Sequence, residues 1–222
     1  DNMSGRGTRQ PGSRYGTNRA AKQRTYFSVG RQCRDDLERT LTLYGRRIEE
    51  ISGLLEFASG YGRVTRFLVT RLDPARVWVA DVSADALETN STLFGTTARL
   101  SNGRPEDFQC ERHFEVVFAG MIFSHFSIEL WASWLKRLYD LVEPSGLLVF
   151  STMGPDLLPK DGADHLVDED GFWFMPENET AGRLDVASYG NTFVSEGWVS
   201  KHIEEHDMGE LLGRSAKGLA NW

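Results

Sequence analysis

Two carboxylates and a short run of small residues are the groups of this 222-residue chain best spaced to do chemistry. Glu56 sits near the end of the apolar run Leu54-Leu55-Glu56-Phe57, and Ala58, Ser59, Gly60 and Gly62 follow at once. Asp81 closes a second apolar run, Val77-Trp78-Val79-Ala80, about 20 residues after the glycines, the separation at which nucleotide-binding folds keep a ribose-binding acid. A carboxylate there accepts from both hydroxyls of a ribose, because it carries two acceptor oxygens side by side. Glycines at 60 and 62 let a ligand approach the backbone closely, and the free N–H groups of a helix opening behind them favour an electron-rich group. The competing reading of Asp81 is a solvated cap of the next helix, which Ser83 and Asp85 begin. The joint spacing favours a ligand.

A third reactive candidate is His125, in Ser124-His125-Phe126 just past an apolar run. Its unperturbed pKa near neutrality suits a general base, and its alternative role is to cap or pack the helix that follows. His202 and His206 stand four apart on an expected helix, a spacing able to bind metal. The sequence supplies no clear third ligand, so they read as a solvated helix face and no metal is expected.

The elements that must position these groups alternate strand and helix. Strands are expected over 54–57, 77–81, 98–100, 114–123 and 147–152. The near-continuous apolar run Phe114-Glu115-Val116-Val117-Phe118-Ala119 suits a central parallel strand buried on both faces. Helices are expected over 35–43, with Leu37, Leu41 and Leu43 available for the core, over 64–72, from Ser83 to about Phe94, and over 129–141, where Leu130, Trp131, Trp134, Leu135 and Leu138 form an apolar face. Pro144 and Gly146 turn the chain into the fifth strand. Ala119 and Gly120 leave room for a ligand beyond the fourth strand, where the strand order of an open α/β sheet reverses.

An acid at a strand end, then small residues at alternating positions (Glu56, Ala58, Gly60, Gly62), then a second acid at Asp81, resembles the class I S-adenosylmethionine-dependent methyltransferases of the small-molecule type. Ala58 departs from the usual glycine. A nicotinamide-binding turn would show Gly-x-Gly-x-x-Gly without an acid in the strand end. The resemblance spans roughly residues 26–199. It implies an α/β, Rossmann-like three-layer sandwich, with a mostly parallel seven-stranded sheet, helices on both faces, and the last strand short or missing. It implies S-adenosyl-L-methionine as cofactor, leaving S-adenosyl-L-homocysteine as product. Its cofactor contacts would come from Glu56 near the methionine end, Asp81 and Val82 at the ribose, Glu106 or Asp107 at the adenine, and Ala58, Gly60, Gly62, Ala119 and Met121 around them. In Tyr26-Phe27-Ser28-Val29-Gly30-Arg31 it adds Tyr26, Gly30 and Arg31 over the methionine end, with Arg31 able to pair with the cofactor carboxylate.

Composition bounds the rest. A net charge of −7 argues against a general nucleic-acid binder. No apolar run approaches the length that spans a bilayer. No secretory leader is recognisable, and Cys33 and Cys110 form no metal or disulfide pattern, so a reducing, cytoplasmic setting is expected. Residues 1–24, rich in Gly, Arg, Ser, Thr and Asn, read as a flexible basic lead-in. Residues 25–222 read as one methyltransferase domain with a loop-rich insertion at about 154–190, whose Phe172-Trp173-Phe174 forms either a lid over an acceptor pocket or a plug over the sheet edge. The expected activity is methyl transfer to a small-molecule acceptor by a monomer or homodimer. A cofactor-binding module without turnover, and a nicotinamide-dependent oxidoreductase, are the alternatives.

Overall fold

The computed structural model describes residues 14–158, 171–176 and 187–214, with side chains from residue 21 onward. Five strands form one parallel sheet: β1 (Leu54–Phe57), β2 (Val77–Asp81), β3 (Thr97–Leu100), β4 (Phe114–Ala119) and β5 (Val142–Phe150), in the order β3-β2-β1-β4-β5. The order reverses between β1 and β4, so the crevice beyond the carboxyl ends of those two strands is where an open sheet of this kind takes its ligand.

The alternation along each strand sorts side chains onto two cores. Leu54, Val77, Val79, Val116 and Phe118 face one side, and Leu55, Phe57, Ala80, Val117 and Ala119 the other. The first face is covered by α1 (Arg14–Leu43), the single turn α2 (Thr65–Leu68) and α3 (Ala84–Phe94). The second is covered by α4 (Ile128–Tyr139) and α5 (Glu196–Glu205), with Trp131, Trp134, Leu135 and Leu138 of α4 all buried. This is the three-layer arrangement expected. Among the described residues the main sheet has five strands rather than seven, and β6 (Phe172–Pro176) and β7 (Gly190–Val194) form a separate antiparallel pair.

Local chemistry sets the boundaries. Ser83 caps α3 by accepting from the Ala86 amide, and Gly95 ends it in the left-handed conformation. The Pro144-Gly146 turn is a bulge inside β5, because Phe114 pairs with Val142 and Val116 with Leu147, leaving 143–146 looped out.

Three expectations are corrected. The N-terminal helix does not begin at 35: α1 runs from Arg14, so residues 14–24 of the supposed lead-in are helical, while 1–13 lie outside the described residues. Leu43 is 82% exposed, since it lies two residues past buried Leu41 and faces away from it. The helix expected over 64–72 is one turn of α-helix followed by tight turns ahead of Pro74. Residues 159–170 and 177–186 of the expected insertion lie outside the described residues. No helix among the described residues is long and apolar enough to cross a membrane.

Candidate active site

The chain leaves β1 through a turn that only a few backbone conformations allow. Ala58, Gly60 and Gly62 have φ of 58°, 52° and 72°. Glycine adopts these values freely; alanine is strained there. The turn is tied on both sides. Ser59 N–H donates to Ala80 O (3.1 Å), Gly62 N–H to Ser59 O (3.1 Å), and the Asn90 side-chain amide donates to Gly60 O (2.7 Å).

Asp81 fixes the same turn from β2. One carboxylate oxygen accepts from Gly60 N–H (2.8 Å), the other from Ser83 N–H (2.9 Å). Each oxygen keeps a further lone pair, and Asp81, half-buried, lines the cleft. Asp81 thus organises the entry to α3, where Ser83 is the cap, and keeps acceptor capacity on the cleft side.

Glu56 is 3% exposed and accepts from Thr65 Oγ1 (2.7 Å). Burial pushes its carboxyl up to about 8; the Thr65 hydrogen bond opposes the rise and the charge of Asp81 adds to it. At neutral pH Glu56 is therefore largely protonated in the ligand-free protein.

The cleft beyond β1 and β4 is continuous with a groove along the β5 edge, and together they measure about 2450 Å³, well beyond what one small ligand fills. Of the residues singled out in the sequence, Tyr26, Glu56, Ala58, Gly60, Asp81, Val82, Asp107, Met121 and His125 line it. Glu106 does not, which separates it from Asp107. Ala119 packs into the core beneath the floor, and the lining role falls to Gly120. Gly62 packs against Asn90 and Phe94, both of which a Cβ at this position would strike. Gly30 also lies outside the lining and serves another purpose: a Cβ there would meet the Arg63 carbonyl oxygen at 2.0 Å, so its absence lets α1 rest on the glycine turn.

Arg31 is not brought to the cleft. Its guanidinium lies over Phe67 at 5.6 Å, in a shallow depression shared with Phe27 and Asp35. Tyr26 and Gly30 are four apart on a continuous helix and share a face; Arg31, one residue on, is turned away by about 100°. Arg104 and Arg214 line the cleft elsewhere, and the cation that lines it beside the glycine turn is Arg63. Its guanidinium sits over the Tyr26 ring (5.2 Å) and contacts Met121 Sδ (3.7 Å). Its position directly after Gly62 was the available signal in the sequence.

Met121 adopts a left-handed φ of 65°, held by Ser151 Oγ accepting its N–H (2.7 Å) and by Ser124 Oγ donating to its carbonyl (2.8 Å). His125 comes four residues later. Its Nδ1 bonds to Gly190 O (2.9 Å), Gly190 N–H donates back to His125 O (2.8 Å), and its ring stacks on Tyr189 at 5.1 Å and 11°. A carbonyl oxygen only accepts, so Nδ1 carries the proton and Nε2 keeps a free lone pair. Tyr189 and Asn191 of the β7 region line the cleft; Phe172 instead packs on Trp198 at 4.8 Å, and neither Trp173 nor Phe174 lines the cleft.

Several known proteins are similar to the central segment that carries this geometry. Residues 55–148 match the family model described as "Methyltransferase domain". Malonyl-[acyl-carrier protein] O-methyltransferase of Priestia megaterium is 28% identical over 46% of this chain and 36% of its own length. Thiocyanate methyltransferase 1 of Brassica oleracea is 26% identical over 70% of this chain and 63% of its own. The chain thus spans between about a third and two thirds of these relatives. Among solved structures, an S-adenosylmethionine-dependent methyltransferase from Clostridium acetobutylicum superposes with a TM-score of 0.58, at 15% identity over 85% of this chain and 86% of that one. The DhpI-SAM-HEP complex superposes with a TM-score of 0.53, at 17% identity over 88% and 91%. Residues 55–148 thus match a methyltransferase-domain model, and the sheet they build has the Rossmann-like fold of the Clostridium acetobutylicum structure.

Proposed function

We propose that this chain binds S-adenosyl-L-methionine in the cleft beyond β1 and β4 and transfers its methyl group to a small-molecule acceptor. One observation carries the reading: Asp81, at the end of β2, clamps the left-handed turn after β1 and still presents free lone pairs to the cleft. The residues present fit the cofactor. Nothing lies within 4 Å of the Cβ position of Gly60, so that stretch of backbone is open to a ligand.

In this reading Asp81 accepts from the ribose hydroxyls, with Val82 beside it, and Asp107 at the cleft wall accepts from the adenine amine. Ala58, Gly60 and Met121 shape the floor, while Glu56 and Tyr26 face the methionine end. Arg63, rather than Arg31, supplies the cation for the cofactor carboxylate. Bound S-adenosylmethionine supplies an electrophilic methyl group on a sulfonium. The chain's own task is to align the acceptor and keep water away. His125 takes the acceptor's proton at Nε2 where the acceptor carries one, its ring held by Gly190 and Tyr189. The free thiols of Cys33 and Cys110 and the net charge of −7 support a reducing, cytoplasmic setting without nucleic-acid partners.

Calorimetric titration with S-adenosylmethionine, S-adenosylhomocysteine and a nicotinamide dinucleotide tests the reading. The first two are expected to bind and the third not. Asp81→Ala should weaken the first two by about tenfold or more, the loss of a charged hydrogen-bond acceptor. Unchanged affinity in that variant, or preferential binding of the dinucleotide, rules the reading out.

A further inference from the structure

The last turn of α5 carries His202, Glu205 and His206 at positions i, i+3 and i+4, which share one helix face. One ring nitrogen from each histidine and one carboxylate oxygen of Glu205 lie within 4.8 Å of one another. The two imidazole rings are 4.1 Å apart, centroid to centroid. The third group that the sequence reading did not find beside the two histidines is Glu205, one residue before His206.

Both histidines are oriented by their surroundings. His206 Nδ1 bonds to the His202 carbonyl oxygen (3.0 Å), which places the proton on Nδ1 and leaves Nε2 free, as metal-ligating histidines are commonly arranged. His202 lies flat on Trp198, at 4.8 Å and 4°. Its Nε2 is buried and has no hydrogen-bond partner among the described residues, so no existing bond competes with an ion for that nitrogen. The helix ends at Glu205, with His206 as its C-cap, and the negative end of the helix dipole favours a cation there.

We propose that this turn binds a divalent transition-metal ion through His202, Glu205 and His206. Two imidazoles and one carboxylate suit zinc, nickel or copper, and are a poor set for magnesium or calcium, which take oxygen ligands. Around zinc, neighbouring ligand atoms stand ~3.3 Å apart, from metal–ligand distances of about 2.0–2.1 Å and tetrahedral geometry. Closing from the present spread needs rotation of the Glu205 and His206 side chains, both exposed. His202 is already seated against the core through Trp198, which itself meets Trp131 of α4 at 4.8 Å. The ion therefore pins the end of α5 to the layer that covers the second face of the sheet. The proposal is independent of methyl transfer.

The test uses the full chain without an affinity tag, titrated calorimetrically with Zn²⁺ near neutral pH, with Co²⁺ as an optical probe of tetrahedral coordination. Wild type should take up one equivalent and melt at a higher temperature with zinc present. His206→Ala should bind about tenfold more weakly or worse and lose the thermal shift; Glu205→Gln should weaken binding in the same direction, and His113→Ala should leave it intact. His206 and Glu205 are exposed, and circular dichroism checks that their variants remain folded. Absence of zinc binding up to about 1 mM, a concentration at which even weak sites fill, overturns the proposal. So does equal affinity in wild type and His206→Ala.

Discussion

Replacing Glu56 with glutamine should change how stability depends on pH, and by an amount the structure sets. The unfolded chain releases the Glu56 proton near the ordinary 4.5, while the folded protein holds it up to about 8 because the carboxyl is buried. Between those values unfolding releases a proton, so stability falls as pH rises. Below the lower value both states are protonated, and above the upper one both are ionised, so this group contributes no slope there. At ~1.36 kcal/mol per pH unit, the interval from about 4.5 to about 8 costs the wild type about 5 kcal/mol in all. The part between pH 5 and 7 is about 3 kcal/mol. Glutamine has nearly the same shape, is neutral throughout, and can still accept from Thr65 Oγ1 through its amide oxygen. Urea unfolding of the two ligand-free proteins at several pH values isolates the effect, because every other titrating group cancels in the difference. Glu56→Gln should match wild type near pH 5 and exceed it by about 3 kcal/mol at pH 7, a gap of roughly 6–12 °C in melting temperature for a chain of this size. A difference that stays flat with pH would refute the claim that Glu56 is held neutral.

Two further substitutions probe the turn itself. Gly30→Ala would drive a methyl group into the Arg63 carbonyl, lifting α1 off the glycine turn. It should cost about 1–3 kcal/mol in urea unfolding, as overpacking does, and weaken S-adenosylmethionine binding in calorimetry; unchanged values for both would show that α1 does not support the site. Ala58→Gly should relieve the strain of a left-handed alanine. That strain is worth about 1–2 kcal/mol, against about 0.5–1 kcal/mol of added glycine entropy, so a small net gain of about 0.5–1 kcal/mol in urea unfolding is expected, and a loss would count against it.

The central sheet was legible because its strands announce themselves. β1, β2 and β4 are short apolar runs, two of them ending in or beside an acid, and the backbone has few ways to bury such runs on both faces. The N-terminal helix was not. Its buried stripe reads Gly30, Cys33, Leu37, Leu41, at helical spacing of three, four and four. Its first two members are a glycine and a cysteine, so the apolar face registers only from Leu37 on. Missing the stripe also misplaced Arg31: whether a side chain on α1 faces the turn depends on the helix phase, and that phase was set by residues that do not look hydrophobic.

The proposed cofactor and acceptor sides of the cleft differ for the same reason. Glu56, Gly60, Gly62 and Asp81 lie within 26 residues and are linked by short-range hydrogen bonds, so their spacing in the sequence nearly determines their arrangement in space. His125 is different. Its ring is oriented by the Gly190 carbonyl, 65 residues away, and by the stacked Tyr189. Which imidazole nitrogen is free to take a proton is therefore decided by the return of the chain through β7, and no local pattern around Ser124-His125-Phe126 encodes it. Tyr189 and Asn191, which the β7 region brings to the cleft, are likewise placed by that long connection, whereas the turn after β1 is set by local contacts. A scaffold built this way can hold one cofactor geometry and change its acceptor by altering a segment the cofactor does not touch.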